Sequence, residues 1–220
     1  MVSDIDEAGG MKTVELIRAS GNTAEFLAAD VTQEEAVQAL ITQTVERLGG
    51  LDFAHNNAGA AFGSQTFGDF GLDDWNRTLA LSLTSAWLCM RAEIPVMIER
   101  GGGAIVNTAS MAGVRFAENA NAAYSAAKAG VIHSSENAAA RYAKQGVRVN
   151  SIAPGLTHTP VIDELFTPEQ QQQMAAAIHL IERMVEPEDI AEAVTFLCSQ
   201  RAAMITGVMI PICGGQNVRG

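Results

Sequence analysis

Residues 103–128 read GAIVNTASMAGVRFAENANAAYSAAK. The first six form a continuous apolar run that suits a buried strand, and Ser110 follows just past its end. The last seven form an Ala-rich helical run, and they place Tyr124 and Lys128 four residues apart, so both project from one helical face. A free phenol, with a pKa near ~10, is a poor base at neutral pH. An ammonium close by favours phenolate, because opposite charge stabilises the ionised form. The pair is therefore suited to exchanging a proton with an alcohol or carbonyl oxygen. Taken alone, a Tyr and a Lys at this spacing also suit a plain surface contact, and the rest of the chain decides between the two.

Outward from this stretch, short apolar runs recur at AEFLAAD (24–30), LDFAHNNAG (51–59), GVRVNSIAPG (146–155) and GVMIPICGG (207–215), with helical periodicity between them. Continuous apolar strands separated by helices indicate a parallel sheet covered on both faces. Helices are expected near 7–20, 33–48, 73–99, 121–145 and 187–199. Thr32 with Glu35 reads as a capping box, and Gly21, Gly49 and Gly146 stand where C-terminal caps do. Pro187 suits a first helical turn, whereas Pro95 should kink or break the 73–99 helix. The least regular part, 156–186, holds Pro160 and Pro168 around short helical pieces. It reads as a mobile substrate lid in an otherwise single domain spanning 1–220.

The 220 residues are 48% hydrophobic and carry a formal net charge of −11, which fits a folded globule and disfavours a nucleic-acid partner. Cys89, Cys198 and Cys213 form no paired motif, and His55, His133, His158 and His179 show no ligand spacing. Reduced thiols, a cytoplasmic setting and no metal site are expected. The His residues read as ordinary structural or surface positions. No uninterrupted apolar run approaches a membrane span, so no membrane partner is expected.

The strand ends share one character. Asn56, Asn57, Ala58 and Gly59 follow one strand, Ser110 another, and Pro154-Gly155 with Thr157 and Thr159 a third. Loops at strand C-termini are where doubly wound sheets present active groups. With Asp30-Val31, NNAG, Ser110 ahead of YSAAK, PG and a terminal ITGVMIPICGG, the chain resembles the short-chain dehydrogenase/reductase family from its first residues to its last.

That resemblance implies a doubly wound, Rossmann-like α/β fold of three αβα layers and transfer of a hydride between NAD(H) and a secondary alcohol or ketone. It implies Tyr124 as general acid/base and Lys128 as the residue that lowers its pKa and holds the nicotinamide ribose. Ser110 would bond the substrate oxygen. Asn57, Ala58 and Gly59 would form the cofactor floor, and Asp30 and Val31 would border the adenine. Pro154, Gly155, Thr157 and Thr159 would lie along the nicotinamide. Asp4 would take the adenosine ribose hydroxyls, with Asp6 as the other candidate; a carboxylate there favours NAD over NADP. The resemblance also implies pairing through the 73–99 and 121–145 helices into a homodimer or homotetramer. Phe62, Phe67, Phe116, Leu156 and Phe166 are expected around an apolar pocket, suited to an apolar secondary alcohol such as a cyclic one.

Three departures stand out. Ser82 occupies a place where relatives usually carry Asn, which implies a weaker proton relay and a Ser82→Asn variant of higher turnover. Cys213 stands where relatives carry an acid. The glycine-rich phosphate turn belongs about 20 residues before the ribose acid, and only Met1, Val2 and Ser3 precede Asp4. The first strand, phosphate loop and first helix are therefore read as missing. A second reading, from a different class, follows: a non-catalytic, dehydrogenase-like subunit that acts through association alone.

Overall fold

The computed structural model describes residues 1–118 and 120–218. Strands and helices alternate: β1 (Val2–Asp4), α1 (Glu7–Ala19), β2 (Phe26–Ala28), α2 (Glu34–Leu48), β3 (Phe53–Asn56), α3 (Leu72–Leu79), α4 (Ser85–Glu99), β4 (Gly103–Thr108), α5 (Ala122–Tyr142), β5 (Val147–Pro154), α6 (Pro160–Leu165), α7 (Pro168–Ile178), α8 (Pro187–Cys198) and β6 (Met209–Ile212). Every strand pair is parallel. The pairing gives two pieces, β1-β2 and β3-β4-β5-β6, so the facing edges of β1 and β3 do not pair with each other.

The core explains why the strands read as unbroken apolar runs. Ile105 of β4 with Val147 and Val149 of β5 packs beneath Met90, Ile94 and Met97 of α4 and Ala138 and Ala139 of α5. The opposite face of the same strands, Val106 and Ile152, packs against Leu197 of α8. With helices on both faces the molecule is a three-layer α/β fold, and alternate residues of one strand bury on opposite sides.

Several sequence expectations meet a different outcome. Pro95 lies inside α4, which runs on to Glu99. Burial of Leu88, Met90, Ile94 and Met97 around it offsets the one hydrogen bond that proline removes. The break in the 72–99 helix comes earlier, at a π-helical turn, Ala80–Thr84. This helix is long and apolar enough to cross a membrane by length and composition alone, but 56% of its most apolar window is buried in the protein.

The Thr32–Glu35 capping box does not form. Gln33 is the N-cap of α2 and makes no side-chain cap, while the Thr32 amide and hydroxyl both go to Asp30 Oδ1, at 2.9 and 2.7 Å. Capping boxes form instead at Thr167–Gln170 and Glu186–Asp189, which start α7 and α8. α7 lies within the 156–186 segment and α8 follows directly after it. A parallel bridge between Thr157 and Val185 closes the base of the segment.

Candidate active site

β4 is paired with β5 to its end, with Thr108 opposite Ile152, and β5 ends two residues later at Pro154, so the loops that follow them emerge side by side. Ser110 stands two residues beyond Thr108 and caps a short 3-10 turn, its Oγ accepting from the Ala112 N–H at 3.2 Å. α5 then returns over the sheet. Its N-cap is Asn121, whose Oδ1 accepts from the Tyr124 N–H at 2.9 Å. This brings the Tyr124 phenol near enough to Ser110 for that side chain to act on its titration. Burial raises the phenol pKa and the Ser110 hydroxyl opposes that rise.

One turn along α5, Lys128 is 2% exposed. Burial pushes its ammonium down to about 8. Its Nζ donates to the Thr108 carbonyl oxygen at 2.7 Å and lies 5.6 Å from the centre of the Tyr124 ring. Ser110, Tyr124 and Lys128 thus converge on the end of β4.

The floor beneath them is the 57–60 loop. Ser82, 1% exposed in the π turn, donates to the Ala60 carbonyl oxygen at 2.8 Å and accepts from the Ala60 N–H at 3.0 Å. A Cβ on Gly59 would lie 2.8 Å from Lys128 Nζ and 3.3 Å from Ser82 Oγ. A side chain there would push the Lys128 ammonium aside, so glycine lets the loop approach both without a shift. Sequence reasoning missed Asn121, whose Nδ2 donates to the Phe62 carbonyl oxygen at 2.8 Å and so ties this loop to α5. An Asn directly ahead of an Ala-rich helical run is a legible cap signal; its second bond, to a residue 59 positions away, is not.

Asp4, Asp30, Val31, Asn57, Ala58 and Gly59 all line one cleft of about 1010 Å³ between the β1 and β3 edges. Asp4 ends β1, and its Oδ1 accepts from the Asp6 N–H at 2.9 Å. Asp6 turns the other way and caps α1, accepting from the Ala8 N–H at 3.1 Å. Of the two acids, only Asp4 lines the cleft. Asp30 is held below the ordinary carboxylate range by its bonds from the Thr32 side chain and backbone.

Pro154, Gly155, Thr157 and Thr159 lie apart from this cleft, on the β5 side. Thr157 spends its hydroxyl on the Gly155 carbonyl oxygen at 3.1 Å, and Thr159 precedes α6. The loop is seated on His179, which is fully buried. The imidazole Nε2 accepts from the Leu156 N–H at 3.1 Å and Nδ1–H donates to the Arg183 carbonyl oxygen at 2.7 Å. A Cβ on Gly155 would meet Nε2 at 2.6 Å, which accounts for the glycine. Of the expected pocket aromatics, Phe62 lines the cleft beneath the Arg77 guanidinium, 4.0 Å away, whereas Phe67 and Phe116 are 83% and 86% exposed. Cys213 is buried, its thiol donating to Asn217 Oδ1 at 3.4 Å. Among the described residues, no group of three or more His, Cys, Asp or Glu could hold a metal ion.

Residues 1–217 match the family model described as enoyl-(acyl carrier protein) reductase. The 2,5-dichloro-2,5-cyclohexadiene-1,4-diol dehydrogenase of Sphingobium indicum is 37% identical over 216 residues, 97% of this chain and 85% of that protein. Among solved structures, one described as a short-chain dehydrogenase/reductase from Burkholderia xenovorans superposes with a TM-score of 0.91 at 37% identity, covering 99% of this chain and 84% of that one. A 7α-hydroxysteroid dehydrogenase complexed with NADH and 7-oxo glycochenodeoxycholic acid gives 0.89 at 33% identity, covering 97% of this chain and 82% of that one.

Proposed function

The chain belongs to the short-chain dehydrogenase/reductase family, and on that premise we propose that it is an NAD-dependent oxidoreductase acting on a cyclic secondary alcohol or its ketone. The carrying observation is the convergence of Ser110, Tyr124 and buried Lys128 at the end of β4. The named relatives, which act on a ring diol and on a hydroxysteroid, support the ring preference.

The residues present fit most of the cofactor. Asp4 would take the adenosine ribose hydroxyls, Asp30 and Val31 would border the adenine, and the Gly59 cradle would admit the nicotinamide end. The N-terminus of α1 does not suit the pyrophosphate, since its cap is Asp6 with Glu7 behind it. A bound NAD would supply the hydride acceptor for the alcohol carbon, and NADH the hydride donor for the ketone.

The chain's own residues handle the proton. In alcohol oxidation the Ser110 hydroxyl donates to the substrate oxygen, and the Tyr124 phenolate takes the hydroxyl proton. The Lys128 ammonium and the Ser110 hydroxyl must offset the burial that otherwise favours the neutral phenol. Oxidation should therefore quicken, and reduction slow, as pH rises through the phenol's titration. Cytoplasmic residence and pairing through α4 and α5 belong to the same reading; half-exposed Trp87 on α4 supports the pairing alone.

The unpaired β1 and β3 edges favour one second reading, a subunit that acts by association. NADH fluorescence and thermal shift separate the two. Saturable binding, with cyclohexanol-type oxidation lost by at least a hundredfold in Tyr124→Phe, is expected. No response at millimolar NADH would sink the enzymatic reading.

A further inference from the structure

Between Thr157 and Thr159 stands His158, and its two ring nitrogens reach two different elements. Nε2 lies 2.7 Å from Asp163 Oδ1 on α6, and Nδ1 lies 3.0 Å from Glu186 Oε2 at the head of α8. An ionised carboxylate only accepts hydrogen bonds, and a neutral imidazole carries one N–H. Both contacts together require the imidazolium, with an N–H on each nitrogen. We propose that His158 is a positioning residue of the active site: as the imidazolium it ties α6 to α8, holds the 156–159 loop in place and keeps the 156–186 lid seated, and on losing its proton it releases α6.

The surroundings carry this further. α6 is only six residues long, and its last residue, Leu165, is 66% exposed, so apolar burial there does little to hold it. Gln171 steadies Asp163 Oδ1 at 3.1 Å. The other charged groups facing this cluster, Arg183 and Asp189, are committed to each other at 2.6 and 2.8 Å, and Asp189 also accepts from the Glu186 N–H at 2.9 Å. Arg183 also acts on Glu186 through its charge, but His158 is the cation hydrogen-bonded to both Asp163 and Glu186.

The base of the lid has ties independent of this proton. Val185 N–H donates to the Leu156 carbonyl oxygen and His158 N–H to the Val185 carbonyl oxygen, both at 2.9 Å. Buried His179 pins the Leu156 amide behind them. Loss of the His158 proton therefore frees α6 while the hinge stays.

Exposed ion pairs add little to global stability. Lid opening, however, is a local equilibrium near balance, where a small tie shifts populations severalfold. The hydrogen bonds to Asp163 and then Glu186 hold the His158 pKa above the ordinary imidazole value. The tie is thus fully made below that ordinary value and is lost as pH rises through the raised one. Because the β4 and β5 loops emerge together, a loosened lid weakens the hold on substrate before it touches proton transfer at Tyr124.

Hydrogen exchange on the full chain, corrected for intrinsic rates from pH 6 to 9, tests the tie. Amides of 160–178 in the unmutated protein should lose protection severalfold as pH rises through the His158 titration. They should also lose it at pH 6.5 when salt goes from 50 mM to 1 M, since exposed charge pairs are screened. In His158→Gln and Asp163→Asn protection should be low and flat with pH. An unchanged pH dependence in His158→Gln, or indifference of the unmutated lid to both pH and salt, would overturn the proposal. The effect on turnover rests on the dehydrogenase reading: KM for the alcohol should rise over the same pH range, with kcat little changed, and stay flat in His158→Gln. The exchange result stands whether or not the chain turns over any alcohol, so the two failures are distinguishable.

Discussion

The Ser82 hydroxyl sits between both backbone polar groups of Ala60, donating to its carbonyl oxygen and accepting from its N–H. A side chain in the π turn of the 72–99 helix thereby fixes the loop on which Gly59 approaches Lys128.

Ser82→Ala removes both bonds and leaves two part-buried backbone groups of Ala60 without that partner, at a cost of about 1 kcal/mol. The melting temperature should fall by several degrees and KM for NAD should rise more than kcat falls. Ser82→Asn can make the same two bonds from separate amide atoms and retains a spare N–H toward the site. Its turnover should equal or exceed that of the unmutated chain. A lower kcat with unchanged melting would show that the hydroxyl does more than hold Ala60.

Asp4 and Asp6 offer a paired test of cofactor choice. Asp4 lines the cleft, whereas Asp6 is spent as the α1 cap. Asp4→Ser should lower the ratio of kcat/KM for NAD over NADP by about 10-fold or more, since the carboxylate both binds ribose hydroxyls and repels a 2′-phosphate. Asp6→Ala should leave that ratio alone and cost about 1 kcal/mol in stability, the usual loss of an N-cap. The reverse pattern in kinetics would assign the ribose to Asp6.

What was legible in the sequence follows from range. Tyr124 and Lys128 lie one turn apart on a single helix, and Ser110, Asn57 and Gly155 each follow an apolar strand, so local pattern suffices to find them. The ties that hold these residues cross 22 positions from Ser82 to Ala60, 59 from Asn121 to Phe62 and 28 from His158 to Glu186. No periodicity reports such contacts. Local rules also fail where a neighbour competes: Asp30 captures Thr32 from the capping box, and core burial carries α4 through Pro95. The cleft of about 1010 Å³ between β1 and β3 is likewise a product of tertiary placement that no local pattern reports.

Glu93 gives a pH prediction. It is 3% exposed on α4, its Oε2 accepting from Asn56 Nδ2 at 3.1 Å. Burial pushes its carboxyl from 4.5 up to about 7. The neighbouring Cys89 thiol, pushed up to about 12 by burial and by Glu93, stays neutral. Between these limits the folded chain holds a proton that the unfolded chain has released, so stability falls as pH rises from about 4.5 to about 7 and levels above. The rise from 4.5 to about 7 corresponds to about 3 kcal/mol at most. Urea unfolding of Glu93→Gln should match the unmutated protein near pH 4.5 and exceed it by 1–3 kcal/mol at pH 8, on the order set by that shift. Parallel curves would refute the buried-acid account.

Asn121 holds two structures at once, and two substitutions separate them. Its Oδ1 caps α5 through the Tyr124 N–H, while its Nδ2 holds the Phe62 carbonyl oxygen. Asn121→Ser keeps a good cap but is too short to reach Phe62, and Asn121→Ala loses both. Melting should drop mainly in the Ala variant, by the several degrees that about 1 kcal/mol of capping represents in a domain of this size. If the tether to Phe62 aligns the cofactor floor with Tyr124, both variants should lose kcat/KM to a similar extent, by about 10-fold, an effect typical of misplaced catalytic geometry. Activity that follows melting instead, intact in Ser and lost in Ala, would mean that the cap on Tyr124's helix alone sets the site.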